Sequence, residues 1–220
     1  MTHRRHLIYI ADPMCSWCWG FAPVVKAVHE HFGARLPLQL LLGGLAIGTT
    51  KAVDEAGKEE IRHHWEHVAQ LTGQPFDFSF FEREGFVYDT EPACRAVVAA
   101  RRLRSESALD FLSHLHRAFY TQNRDITDRA TLDALAAEFG FERVQFETAL
   151  DADETGDETR ADFQITRRFG IDGYPTLLAG DGEGSYSIIT LGYQSQAKIE
   201  GMIAAWLAWQ SDRAAGIAVT

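Results

Sequence analysis

Apolar side chains along this chain are spaced in two ways, and the spacing predicts the order of its helices and strands. Residues 7–11 are a short apolar run, and residues 36–42 form a second run that contains one proline and one glutamine. Near-continuous apolar runs of this length are typical of strands in a parallel sheet that is covered on both faces. Between them, residues 22–32 carry apolar side chains three or four positions apart, which predicts a helix. We expect Pro23 to kink this helix and Gly33 to end it.

Helical spacing dominates the middle of the chain. Short breaks containing glycine, proline or aspartate divide it into six predicted helices, at residues 58–71, 91–104, 108–121, 128–139, 143–150 and 158–169. Pro92 suits the first turn of the second of these helices, because the N–H that proline lacks would have no partner within the helix there. Asp128 and Thr131 are candidate caps for the fourth.

The end of the chain returns to strand-like segments. Residues 174–179 and 186–191 are predicted strands, separated by a glycine-rich turn, and residues 196–209 form a predicted closing helix. The chain therefore reads as strand, helix, strand, helical block, strand, strand, helix.

The length and the absence of a polar linker predict a single α/β domain. A chain of 220 residues is long enough to bury a sizeable core without disulfide staples. Its hydrophobic content of 46% and charged content of 24% are ordinary for a globular protein. We predict that residues 1–50 and 170–220 form the core and that residues 51–169 are a helical insertion.

Charge and hydropathy exclude several classes of partner and site. A net charge of −10 without a basic stripe argues against nucleic-acid binding, which depends on clustered Lys and Arg. No apolar run approaches the roughly 20 residues of a membrane span. The apolar segment at residues 7–11 is too short for a signal-peptide core, so we expect a cytoplasmic location. In that compartment a Cys-x-x-Cys pair is more often catalytic or metal-binding than structural.

The stretch Cys15-Ser16-Trp17-Cys18 joins the first predicted strand to the first predicted helix. The first turn of a helix has unpaired N–H groups and a partial positive charge, which stabilise a thiolate. We therefore expect Cys15 at the helix start, with its sulfur toward solvent, to be the attacking thiol. Cys18, one turn further along and more shielded, would be the resolving thiol.

Two simpler interpretations of the cysteine pair stay open. A Cys-x-x-Cys can be half of a zinc site, but such a site needs about four ligands, and the remaining cysteine, Cys94, stands alone. The pair could also be two small buried core residues. Cys94 itself lies in an apolar run and is most simply a buried hydrophobic residue.

Histidines offer a second candidate for metal binding. Four-residue spacing places His63 and His67 on one helix face, beside His64, yet no third convergent ligand is identifiable. A solvated helix face is the favoured interpretation, and His114 and His116 are interpreted in the same way. We therefore predict no metal site.

Residues around the pair suggest further roles. Asp12 lies three residues before Cys15 and is a candidate for proton transfer, although an acidic residue at a helix entry more often caps the helix. Trp17 and Trp19 could form an exposed apolar rim for peptide substrates, with a core role for one of them equally favoured.

The order of motifs resembles the DsbA-like branch of the thioredoxin fold. The Cys-x-x-Cys at a helix start is followed, after the helical block, by Gly170-Ile171-Asp172-Gly173-Tyr174-Pro175-Thr176 before a hairpin and a last helix. The resemblance implies a thioredoxin fold with a large α-helical insertion. Pro175 falls where that family has a cis-proline loop facing the active site, so Tyr174 and Pro175 would offer backbone to an extended substrate segment. A cis bond before proline is energetically accessible.

Within that branch the chain resembles FrnE, 2-hydroxychromene-2-carboxylate isomerases and kappa-class glutathione transferases. The glycine turn at residues 41–45 and the segment at residues 74–76 carry this resemblance. The isomerases and transferases typically have serine where this chain has Cys15, so the presence of both cysteines favours disulfide chemistry.

The resemblance implies a thiol-disulfide oxidoreductase or isomerase that forms a mixed disulfide through Cys15 and resolves it through Cys18. It implies protein or peptide thiols as partners and no tightly bound cofactor, with glutathione as a candidate redox partner or co-substrate. The alternatives are a glutathione-dependent isomerase or transferase and a non-catalytic protein that binds unfolded chains.

Overall fold

Four strands and eight α-helices are found within residues 4–214, the part of the chain that a computed structural model describes. The first elements are β1 (His6–Ala11), α1 (Ser16–Phe32) and β2 (Leu38–Leu42). The helices that follow are α2 (Glu55–Thr72), α3 (Glu91–Leu103), α4 (Ala108–Gln122), α5 (Arg129–Phe139), α6 (Arg143–Asp151) and α7 (Asp153–Arg168). The last elements are β3 (Thr176–Gly180), β4 (Tyr186–Leu191) and α8 (Gln196–Ala214). Short 3₁₀ helices lie at Phe78–Glu82 and Ser105–Ser107.

The strands form one sheet in the order β2-β1-β3-β4. The β1 strand is parallel to β2 and antiparallel to β3, so Ile10, near the end of β1, pairs with Thr176 at the start of β3. Antiparallel pairing places the loop after one strand beside the loop before the other. The Cys-x-x-Cys segment after β1 therefore lies next to Tyr174 and Pro175.

The two faces of the sheet are covered differently. Leu7, Tyr9 and Ala11 of β1 belong to the main core, which continues through α1, α8 and the helical block. On the opposite face, Ile8 and Ile10 form a small cluster with two further buried residues, Ile171 and Leu178. In α2, the fully buried Trp65 is surrounded by aromatic rings from the segment around Phe76–Phe81 and from α4.

The outer edge of β2 is tied to the helical block by an ion pair. Asp162 of α7 accepts a hydrogen bond from the Leu42 N–H at 3.1 Å and lies 2.9 Å from Arg101 of α3. Arg101 also donates to the carbonyl of Leu40 at 3.0 Å. Backbone groups that an edge strand would leave unpaired are thus bound by side chains, and β2 is held against α3 and α7.

Predicted and observed elements agree in type and order and differ at their ends. The α7 helix begins at Asp153 rather than at residue 158, because the acidic first turn suits a helix N-terminus and Gly156 lets the Arg95 side chain pack closely. Asp128 caps α5 as expected. Thr131 is not a cap, since its N–H and its hydroxyl both donate to Asp128.

Three further observations complete the description of the fold. The ends of the predicted core, residues 1–3 and 215–220, lie outside the described residues. No helix in the described part is long and apolar enough to cross a bilayer. The 3₁₀ helix at Phe78–Glu82 was not predicted, because three of its five residues are aromatic and show no helical period.

Candidate active site

Cys15 occupies the N-cap position of α1. Its backbone is extended, with φ −88° and ψ 111°, and its sulfur accepts the N–H of Cys18 at 3.3 Å. A hydrogen bond to the sulfur and the positive end of the helix both stabilise negative charge there. The local sequence therefore places the Cys15 sulfur at the positive end of α1, beside a backbone N–H donor.

The Cys15 sulfur also faces the loop before β3. As a thiol it lies 3.6 Å from the carbonyl oxygen of Tyr174, to which it can donate. The Tyr174–Pro175 peptide bond is cis. We predicted a solvent-facing sulfur, but Cys15 is only 5% exposed, because the neighbouring side chains enclose it. The structure thus brings Cys15, Tyr174 and Pro175 together, although they are far apart in sequence.

Cys18 is fully buried one turn along α1. Burial raises the pKa of its thiol well above the usual value, and the neighbouring Cys15 and the charge of Asp12 raise it further. All three cysteines of the chain are free thiols in this structure. Cys18 would therefore need a base close by in order to react.

The Asp12 carboxylate, in the loop between β1 and Cys15, is fully buried. It accepts the N–H of Met14 at 2.8 Å and the N–H of Leu45 at 2.7 Å, one on each oxygen. Burial raises its pKa above the ordinary value, and these two N–H donors partly offset that effect. The expectation that Asp12 caps α1 was wrong, because Cys15 is the cap and Asp12 instead fixes the loops after β1 and β2.

His116 of α4 is a site residue that the sequence did not single out. We expected a solvated helix face, but His116 is 1% exposed and its Nε2 lies 3.1 Å from the backbone carbonyl of Asp12. A carbonyl only accepts, so Nε2 carries the proton and the buried Nδ1 has no partner. Burial lowers the pKa of His116 to about 4, so it is neutral at pH 7. Its place on an apolar helix face was the signal that could have identified it.

Tyr174 is positioned by the glycine turn after β2. Its hydroxyl donates to the carbonyl of Gly43 at 2.8 Å. A Cβ on Gly43 would lie 2.2 Å from the Tyr174 ring, so only glycine leaves room for it. Burial raises the pKa of the Tyr174 phenol, which therefore stays protonated and can donate. The resemblance of residues 41–45 to a glycine turn thus has a steric explanation.

A cavity of about 320 Å³ lies beside Cys15. It is lined by the segment from the end of β1 into α1, the loop after β2, α2, the segment before α3 and the loop before β3. The lining residues are Met14, Cys15, Ser16, Trp17, Leu45, Ile61, His64, Trp65, Tyr88 and Tyr174. Leu45 is 45% exposed and lies at the rim, while the Tyr88 hydroxyl donates to the carbonyl of Met14. A mostly apolar cavity with a thiol in its wall can hold a small or extended ligand against Cys15.

The two tryptophans of the motif lie in different environments. Trp17 is half-buried at the cavity. Its ring packs edge-on against the His67 ring, with the two ring centroids 5.1 Å apart. Trp19 is buried, stacks on Tyr120 and donates from Nε1 to the carbonyl of Pro75 at 3.1 Å. Trp17 can therefore touch a ligand, whereas Trp19 belongs to the core.

The histidines of α2 are exposed. His64 lines the cavity and His67 packs on Trp17, while His63 contacts neither. No group of three or more His, Cys, Asp or Glu side chains within residues 4–214 is arranged to hold a metal ion.

Comparison with known proteins identifies the fold and gives its relatives. A family model described as a DsbA-like thioredoxin domain matches residues 7–204. A crystal structure from Nitrosomonas europaea, provisionally described as a protein disulfide isomerase, is 37% identical and superposes with a TM-score of 0.89 over 94% of this chain and 99% of that one. The cytosolic disulfide reductase DsbM from Pseudomonas aeruginosa is 28% identical, with a TM-score of 0.77 over 93% of this chain and 99% of its own, and another structure of DsbM contains glutathione.

More distant relatives carry a different description. The ClpXP adapter protein SpxH from Bacillus subtilis is 22% identical over 80% of this chain and 64% of its own length. For SpxH from Halalkalibacterium halodurans the identity is also 22%, over 76% of this chain and 56% of the relative. This chain thus spans less than two thirds of these relatives. The family match over nearly the whole chain, together with a four-stranded sheet and a helical block between β2 and β3, shows that this protein belongs to the DsbA-like thioredoxin family and has the fold of DsbA-like thiol-disulfide oxidoreductases.

Proposed function

We propose that this protein is a thiol-disulfide oxidoreductase in which Cys15 attacks and Cys18 resolves. The Cys15 thiolate displaces one sulfur of a substrate disulfide as a thiolate and forms a mixed disulfide with the other. Cys18 then attacks the Cys15 sulfur, which releases the second substrate thiolate and leaves a Cys15–Cys18 disulfide. The substrate gains two electrons and the protein loses two, and a thiol reductant restores the pair.

The observation that carries this proposal is the environment of the Cys15 sulfur. It accepts the Cys18 N–H at the start of α1 and lies 3.6 Å from the backbone carbonyl of Tyr174. The first contact would stabilise negative charge on the attacking sulfur, and the second supports a role for the Tyr174 backbone in holding the substrate beside it. A zinc site or an inert core pair would not require both contacts.

Asp12 is the proposed base for the resolving step. Cys18 is buried and its raised pKa keeps it protonated, so its proton must leave before it attacks. The raised pKa of Asp12 makes that carboxylate a better proton acceptor than an exposed aspartate.

Trp17, Tyr174 and Pro175 are the proposed substrate-binding residues. Trp17 and Tyr174 line the cavity with Cys15, and the Tyr174 backbone lies against the sulfur. We assign the part of the cavity wall formed by α2 and Tyr88 to the insertion at residues 51–169. The remaining walls belong to the core at residues 1–50 and 170–220.

Glutathione is the second candidate substrate, as redox partner or as co-substrate of an isomerase or transferase. The cavity of about 320 Å³ is large enough for a tripeptide thiol, and DsbM has been crystallised with glutathione. The description of DsbM as cytosolic supports a cytoplasmic location for this protein. For a non-catalytic binding role, the support is the adapter description of SpxH at 22% identity.

Trapping the mixed disulfide tests the leading proposal. Cys18→Ser should form a stable covalent complex with insulin chains whose disulfides have been reduced and then reformed, or with a peptide disulfide. The complex persists because the resolving thiol is absent. Cys15→Ser should form none and should lower disulfide reduction to the uncatalysed rate. Non-reducing electrophoresis and mass spectrometry would locate the bond at Cys15.

The same variants separate the alternatives. A Cys15→Ser protein that keeps full turnover with glutathione and a small electrophile would favour the isomerase or transferase. If the wild type shows no exchange but binds unfolded chains equally well with Cys15→Ser, the protein is a binding protein.

A further inference from the structure

Cys94 is a buried thiol that the proposed reaction does not use directly, yet it contacts the proposed base. Its Sγ lies 3.4 Å from Oδ2 of Asp12, and both residues are fully buried. The contact joins α3 to the loop after β1 across 82 positions of sequence. Cys94 is therefore more than a small apolar residue of the core.

The geometry determines which atom donates. Oδ2 of Asp12 also accepts the Leu45 N–H at 2.7 Å, so a carboxylate oxygen is available there and the thiol supplies the hydrogen. Burial and the charge of Asp12 raise the pKa of Cys94, which keeps it a neutral S–H donor. Its position is set by the first turn of α3, where its N–H binds the carbonyl of Thr90 at 3.0 Å.

We propose that Cys94 is a positioning residue whose thiol holds Asp12 as an oriented carboxylate, ready to take the proton of Cys18. This inference rests on the proposed oxidoreductase function. A donor to a carboxylate stabilises its charged form, and the S–H of Cys94 is a side-chain donor that can be replaced without touching the backbone N–H groups. Without it, Asp12 binds its proton more tightly and is ionised only at higher pH.

Two substitutions of Cys94 separate hydrogen bonding from packing. Cys94→Ser keeps a donor of similar size, whereas Cys94→Ala removes it. Val97→Ala is the matched control, because Val97 is also fully buried in α3 and its loss removes apolar volume without removing a donor. If the thiol acts through Asp12, serine restores what alanine loses.

The resolving step can be observed on its own with an aromatic disulfide reagent. Reduced protein reacts with 5,5′-dithiobis(2-nitrobenzoate) at Cys15, and attack by Cys18 then releases a second, coloured thiolate. The acid limb of the rate of this second release against pH reports the ionisation of the base. We expect Cys94→Ala to move this limb to higher pH and to slow the release several-fold at a pH on the limb. In Cys94→Ser and Val97→Ala the acid limb should lie at the same pH as in the wild type or at a lower pH.

An Asp12→Asn background completes the test. There the two Cys94 variants should give the same pH profile, because the group through which Cys94 acts has been removed. The inference would be overturned if the acid limb of the pH–rate profile lay at the same pH in wild type, Cys94→Ser and Cys94→Ala. It would also be overturned if Cys94→Ala still moved this limb by the same amount in the Asp12→Asn background. A wild-type protein with no second release would instead overturn the proposed function, and this inference with it.

Discussion

Tyr174, which lines the cavity beside Cys15, is in direct contact with Gly43. The Tyr174 hydroxyl donates to the Gly43 carbonyl at 2.8 Å, and the space for a Gly43 side chain is filled by the Tyr174 ring. The glycine turn after β2 thereby sets the position of the residue whose carbonyl faces Cys15.

Gly43→Ala should displace Tyr174 and lower disulfide exchange. The added Cβ would lie 2.2 Å from the ring, so the tyrosine or the turn must move. A misplacement of about 1 Å near reacting groups can cost on the order of 100-fold in rate. We expect a loss of ten- to a hundredfold, on the order of 1.4–2.7 kcal/mol, measured as insulin reduction.

Gly173→Ala is the matched control for this change. Gly173 precedes Tyr174 directly, but a Cβ there meets no atom within 4 Å. Its exchange rate should stay close to that of the wild type. Equal effects of the two substitutions would show that the Tyr174–Gly43 contact does not matter.

The cysteines should differ in reactivity toward alkylating agents. Cys15 lies in the wall of the cavity and its sulfur accepts the N–H of Cys18 at the start of α1, whereas burial raises the pKa of both Cys18 and Cys94. In the reduced protein at mildly acidic pH, iodoacetamide should label Cys15 first, as followed by peptide mass spectrometry. All three should react alike in denaturant, and faster labelling of Cys94 in the native protein would contradict the assignment.

His116 should make the fold less stable at acidic pH. Its folded pKa is depressed, from 6.5 to about 4, so the unfolded chain binds the proton more readily between these values, and protonation costs roughly 3 kcal/mol. Stability should therefore be full above pH 6.5 and fall as the pH drops toward 4. His116→Gln keeps a donor for the Asp12 carbonyl and removes the titration.

Urea unfolding between pH 4 and pH 7 would measure this effect. The difference in unfolding free energy between wild type and His116→Gln should change across that range. As the pH falls, the variant should lose less stability than the wild type. A difference that stays constant with pH would show that His116 does not titrate as its burial indicates.

Asp12 should change the stability of the fold with pH in the direction opposite to that of His116. Its folded pKa is raised, so the folded protein holds the proton more tightly and stability falls as the pH rises from about 3.8 through the folded pKa. The change amounts to about 1.4 kcal/mol for each unit by which the two pKa values differ. In Asp12→Asn this loss of stability with rising pH should disappear, because the amide does not titrate.

The asparagine variant also carries a cost that does not depend on pH. Its amide can accept only one of the two N–H groups of Met14 and Leu45, so the other loses its partner, at about 1–3 kcal/mol. The variant should be less stable than wild type at pH 4, and the gap should narrow toward pH 7. A gap that widens would contradict a raised pKa for Asp12.

Trp17 should contribute to substrate binding rather than to chemistry. Trp17→Ala removes an aromatic wall of the cavity and should raise KM for a peptide disulfide several-fold with little change in kcat. Trp209→Ala is the control, since Trp209 is 38% exposed on α8 and does not line the cavity. An unchanged KM in Trp17→Ala would remove it from the binding site.

Local patterns determined much of what can be said about this protein from its sequence alone. The period of apolar positions predicted the type and order of the elements, because helices and strands bury faces with different spacing. The position of Cys15 at a helix start followed from the strand before it and the helix after it. Asp128 could be identified as a cap since its partner is only three residues away.

Contacts between distant residues were decided by the tertiary structure. Asp12 meets Cys94 and His116 across 82 and 104 positions, and no local period encodes which helix packs over a loop. A histidine or cysteine on a helix has the same spacing whether its face meets water or the core. Packing of α3 and α4 against the loop after β1 removed these side chains from water, and that burial determined their hydrogen bonds and their protonation.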